Sequence, residues 1–86
     1  MIGYLKLELT EVDHFCRNIN TFKSPIYVIE GDRTVYIKSL ISMLTLDLSK
    51  ELKVVIDSED KYELDAFMDL ILRYGGDIEW QEQIFY

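Results

Sequence analysis

The stretch Lys38–Asp60, KSLISMLTLDLSKELKVVIDSED, decides how this 86-residue chain is read. It opens on a lysine and a serine, runs through a short segment apolar at Leu40, Ile41, Met43, Leu44, Leu46 and Leu48, and passes through the β-branched run Val54–Ile56 into an acidic stretch. Ser39 stands where a helix N-cap belongs, because its hydroxyl can accept from the free N–H groups of a first helical turn. A short helix is therefore predicted from Leu40 to about Leu46. Lys53–Ser58 reads as a strand. Ser58 then caps a longer helix, Glu59–Tyr74, with Leu64, Phe67, Met68, Ile71 and Leu72 as its apolar stripe and Gly75-Gly76 as its stop.

Upstream, IYVIE and TVYIK are two β-branched and aromatic runs joined by Glu30-Gly31-Asp32-Arg33, a turn whose glycine and aspartate tolerate positive φ, so this part reads as a hairpin. YLKLEL, Tyr4–Leu9, alternates with Leu5, Leu7 and Leu9 on one face, the period of a half-buried strand. Thr10 follows at an N-cap position with Asp13 three residues on, and Val12, Phe15, Cys16 and Ile19 recur at helical spacing. The order is βαββαβα. Helices between strands, with an antiparallel hairpin among them, predict an α+β fold: one mainly antiparallel sheet covered on one face by helices, an open-faced sandwich. There is no internal repeat, low-complexity segment or linker.

Composition narrows the function classes. Sixteen acidic residues against nine basic ones give a net charge of −7, which disfavours nucleic acid and anionic lipid and suits a basic partner surface. The single cysteine, Cys16, can form no internal disulfide, and no leader-like or membrane-length apolar run is present, so the expected setting is a reducing cytoplasm with no membrane partner. No metal-ligand or cofactor motif occurs.

From Phe15 to Ile71 the chain resembles HPr, the histidine-containing phosphocarrier of the bacterial sugar phosphotransferase system. The Lys-Ser pair, the apolar helix, the Leu-x-Leu exit of Leu46 and Leu48, and the strand with its acidic cap carry the likeness, and the hairpin keeps the family's spacing without a gap. The resemblance implies a small domain that exchanges a phosphoryl group or binds proteins. The family's chemistry needs a histidine at the mouth of the first helix, then an arginine two residues later and a proline. Counted back from the hairpin without gaps, those places fall on Glu8, Thr10 and Glu11, so the resemblance implies loss of the carrier reaction. His14, the only histidine, lies inside the predicted helix and is the substitute acceptor to weigh, although an exposed helical histidine needs no function. Cys16 lies on the apolar stripe and reads as core.

Ser39 matches the position at which HPr of some Gram-positive bacteria is phosphorylated by an ATP-dependent kinase. It is thus both a helix cap and a candidate phosphorylation site, with Lys38 adjacent. Leu40, Ile41, Met43 and Leu44, together with Lys38, are the candidate partner-binding residues, since in the family this helix presents an apolar patch to proteins. Residues 77–86, DIEWQEQIFY, have no counterpart in the family and form an extension to the domain of residues 1–76. Ile78, Trp80, Ile84 and Tyr86 share one parity, which suits an added strand on this sheet's edge or on a neighbouring molecule's. A tail folded over its own domain is the alternative. Trp80, Ile84 and Phe85 are the candidate oligomer contacts.

The favoured expectation is a non-catalytic HPr-like regulatory or interaction module docking through the Ser39–Leu46 helix. A phosphocarrier using His14 and a self-associating structural domain are the alternatives.

Overall fold

A computed structural model describes residues 1–79 of the chain. The elements run β1 (Ile2–Leu5), a 3-10 turn (Leu9–Glu11), α1 (Val12–Ile19), β2 (Ile26–Glu30), β3 (Arg33–Tyr36), α2 (Leu40–Leu44), β4 (Leu52–Ile56), α3 (Lys61–Arg73) and β5 (Asp77–Glu79). The strands form one sheet in the order β3-β2-β4-β1-β5, and every described pairing is antiparallel. α2 packs on β3, α1 on α2, and α3 on β1 and β5, so the helices cover one face of the sheet. Alternation along the strands sends Leu5, Ile26, Val28, Leu52, Val54 and Ile56 under the helices, where they meet Phe15, Ile19, Met43, Phe67 and Ile71. The open-faced α+β sandwich is the architecture expected from the order of elements.

Local chemistry accounts for several boundaries. Gly31 takes the turn's positive φ of 62°, and no non-glycine residue among those described does, so Asp32 does not share that role. Tyr74 ends α3, Gly75 takes φ 76°, and the N–H groups of Gly75 and Gly76 donate to the carbonyls of Leu72 and Ile71, a Schellman stop at the expected glycine pair.

Other boundaries differ from the sequence reading. β1 ends at Leu5 rather than Leu9, because its partner Leu52 is where β4 begins, so no described strand pairs with the chain beyond it. Leu7 is still buried, but Leu9 is 69% exposed. Thr10 is not the first cap. It lies within the 3-10 turn, Glu8 takes the extended cap conformation, and Asp13 forms an ion pair with Arg17 at 3.1 Å. Asp60, not Ser58, caps α3, its carboxylate accepting the Tyr62 N–H at 2.9 Å. The Ser58 hydroxyl accepts the Asp60 N–H one step earlier. The buried stripe of α3 is Phe67, Leu70 and Ile71, whereas Leu72, one residue further round, is 52% exposed. The extension begins as a strand of this sheet, β5 pairing with β1 at the edge, whereas Trp80, Ile84, Phe85 and Tyr86 lie outside the described residues.

Candidate docking site around Ser39 and the mouth of the first helix

The connection from β3 into α2 is fixed from below. Ile37 is fully buried, and the Asn20 amide donates to the Lys38 carbonyl at 2.8 Å and to the Cys16 carbonyl at 2.9 Å, tying the end of α1 to the start of α2. The Cys16 thiol points at the Ile37 and Lys38 carbonyls from 3.6 and 3.7 Å. Burial pushes the thiol's pKa up, the Asp13 charge adds to this, and the Asn20 hydrogen bond opposes it. Cys16 is a core thiol held in its neutral form.

With that base set, Ser39 adopts an extended conformation and its hydroxyl accepts the Ser42 N–H at 3.5 Å, the expected cap, while remaining exposed. α2 then divides its apolar residues. Met43 is fully buried, which removes it from the candidate partner surface, because it is the side chain that pins the helix to the core. Leu40, Ile41 and Leu44 stand 39, 77 and 52% exposed, respectively, on the outer side. The far end is anchored by Arg33, which donates to the Thr45 hydroxyl at 3.0 Å, and by Glu30, which accepts the Asp47 N–H at 2.9 Å. Lys38 is not a free cation beside Ser39, since its ammonium donates to the Phe22 carbonyl at 2.7 Å. The patch is thus a small apolar surface on a rigid mount. Exposed Tyr36 lies just upstream on β3, and the alternation of TVYIK places it opposite buried Val35 and Ile37, a signal that the sequence reading did not use.

At the mouth of the first helix, Glu8 has φ −85° and ψ 153°. The residue that gapless counting places at the acceptor histidine of HPr is therefore the N-cap of the helical segment. Its N–H donates to the Glu11 carboxylate at 3.0 Å, and the Glu11 N–H donates back to the Glu8 carbonyl at 2.9 Å. Two carboxylates at that end complement the helix dipole. His14 is exposed further along α1, with the Asn18 amide 3.4 Å and the Tyr74 hydroxyl 3.5 Å from its Nδ1. Tyr74 is itself set edge-on against Phe15, with ring centroids 5.2 Å apart.

The match to a family model settles the relationship. The model described as "PTS HPr component phosphorylation site" matches residues 7–72, more than half of the chain. The chain belongs to the HPr family. Neither a curated protein nor a solved structure matches it. The match runs from just before Glu8 into the last turn of α3. No helix among the described residues is long and apolar enough to cross a membrane. Nor do three or more His, Cys, Asp or Glu side chains converge there in a metal-binding group. A cleft of about 360 Å³ separates α1 from α3; on its walls Arg73 pairs with Asp69, and Glu63 accepts from the backbone of Lys23 and Ser24.

Proposed function

We propose that this chain is a divergent HPr-family member without the acceptor histidine, acting as a non-enzymatic regulatory module in a bacterial cytoplasm and docking a protein partner through α2. The position of Glu8 carries the reading. In place of a neutral imidazole that can accept a phosphoryl group, the helix mouth holds two carboxylates, which satisfy the dipole and repel a phosphoryl donor. Leu40, Ile41 and Leu44 form an exposed apolar surface of the chemistry found at the core of protein contacts, projecting from a helix whose backbone is tied at both ends. Ser39 sits at its border. Phosphorylation there would add a dianion beside the apolar patch with Lys38 already engaged, so the charge would face the partner and change its affinity.

A carrier using His14 is the second reading, favoured by the exposure of that ring and the Tyr74 hydroxyl beside it. One experiment separates the two. The purified protein is incubated with enzyme I plus phosphoenolpyruvate, and separately with HPr kinase plus ATP, and intact mass is recorded under conditions that preserve phosphohistidine. The proposal expects no adduct with enzyme I. An adduct with the kinase that disappears in Ser39→Ala identifies the switch. An enzyme I adduct lost in His14→Ala would overturn the proposal and restore a carrier.

A further inference from the structure

The outer edge of β3 is open among the described residues. The Ile37 N–H just after the strand donates to the Ile26 carbonyl, so Val35 and Arg33, at alternate positions back along β3, turn their N–H and C=O groups to β2, and those of Thr34 and Tyr36 point outward. No described group takes up these two donors or two acceptors. Four of the seven large apolar side chains that the described residues leave exposed, Tyr36, Leu40, Ile41 and Leu44, gather at this corner, because α2 packs on β3. From Thr34 to Ile37 the chain carries no charge, and an uncharged edge is a template for another strand.

We propose that the β3 edge pairs antiparallel with the same edge of a second copy about a twofold axis beside Val35, so that one sheet runs through both molecules with the helices of both on one face. The proposal rests on the reading of α2 as a docking surface and names its occupant. Three observations select a second copy. The first is hydrogen bonding. In that register Thr34 of one copy stands opposite Tyr36 of the other, and each such pair exchanges two bonds, so the outward groups of both edges satisfy one another. The second is charge. Residues 33–46 include no Asp or Glu in a chain of net charge −7, so two copies meet here without setting acid against acid. At the opposite end of the sheet, β5 carries Asp77 and Glu79, and like charges would face each other in the same kind of pairing. The third is the apolar surface. The axis brings α2 of each copy to the seam, where Ile41 and Leu44 add the apolar burial that a four-residue edge lacks.

The test is the mass of the full-length protein by analytical ultracentrifugation over a concentration series. A dimer is expected at high concentration and should be lost in Thr34→Pro, because proline there removes an outward donor without breaking a bond to β2. The far-ultraviolet circular dichroism should stay native. If Thr34→Pro fails to fold, amide exchange in the unmodified protein makes the same test: Thr34 and Tyr36 should exchange freely in dilute solution and gain protection as concentration rises. Ile41→Lys should lower the dimer fraction at each concentration. A monomer throughout would overturn the proposal, while the docking reading of α2 would still be decided by the adduct experiment. A dimer that persists in a folded Thr34→Pro variant, or one in which the Thr34 and Tyr36 amides stay unprotected, would overturn it equally. A dimer abolished by Thr34→Pro but indifferent to Ile41→Lys would uphold the edge pairing and refute the docking role of α2 instead.

Discussion

Glu63 is a surface carboxylate whose hydrogen bonds hold two parts of the molecule together. Its Oε1 accepts the Ser24 N–H at 2.8 Å and the Ser24 hydroxyl at 2.7 Å, and both oxygens accept the Lys23 N–H, at 3.1 and 3.2 Å, so α3 is tied to the loop between α1 and β2. The Ser24 hydroxyl is the main cause of a lowered carboxyl pKa. The backbone N–H groups and the Lys38 charge assist, and partial burial opposes them. A carboxylate whose pKa is lower in the folded than in the unfolded state contributes stability that is present above the unfolded value of about 4.3 and disappears as pH falls through the folded value. Glu63→Gln should therefore lower stability at pH 7 by about 1 kcal/mol, the scale of a partly exposed hydrogen-bond cluster. Measured by urea unfolding, the gap between the two proteins should narrow as pH falls below about 4; a gap that stayed constant to pH 3 would refute the assignment. None of this was legible in the sequence, because a glutamate near the start of a helix reads as ordinary dipole compensation and its partners are 39 and 40 residues away.

At the scale of elements, the two glycines after α3 separate conformation from space. Gly75 has φ 76° with open room around it, so Gly75→Ala should cost about 1 kcal/mol of backbone strain. Gly76 has ordinary φ, but a Cβ there would collide with the Tyr4 carbonyl and come within 2.8 Å of the Leu5 Cβ, so β1 and the end of α3 would have to part. Gly76→Ala should be the more destabilising, by roughly 2–3 kcal/mol, and thermal melts of the two variants should show that order. α2 divides in a similar way. Met43→Ala should cost about 2–4 kcal/mol through a cavity, whereas Ile41→Ala should stay within about 0.5 kcal/mol of the parent. A large loss from Ile41→Ala would mean that the residue is covered and would remove it from the docking patch. The sequence showed that α2 was too apolar for its length without showing which residues lay inside, since five residues are too few for a periodicity to resolve. It located α3 by its stripe and misplaced its cap by two residues, because Ser58 and Asp60 are both good caps and only tertiary contacts choose between them.

Across the whole molecule, the order β3-β2-β4-β1-β5 means that the sheet is assembled from the two ends of the chain. β1 lies between β4 and β5, so the first strand is in place only once two strands from the second half of the chain have joined it. Strand and helix types were readable from local periodicity, as were the hairpin and the one-sided cover. The placement of β5 on this sheet's edge was one of several options left open, since three residues with an acid at either end carry no strand signal beyond parity. This topology also ranks the strands by protection. β4 is paired along both edges, with β1 over Leu52–Val55 and with β2 over Lys53–Ile56, and its inward side chains Leu52, Val54 and Ile56 are all buried. Among the described residues β3 and β5 each pair on one edge only, and β5 does so over three residues. Opening at either sheet edge exposes few buried groups, whereas opening β4 breaks both halves of the sheet and the core above it, so its free energy should approach that of global unfolding. Native-state hydrogen exchange should therefore find the β4 amides slowest, with β2 and β1 following and β3 and β5 fastest among the strands. Slow exchange in β5 to match β4 would show that the edge is covered along its length, whereas fast exchange in β1 would mean that the β1–β4 pairing is not part of the stable centre.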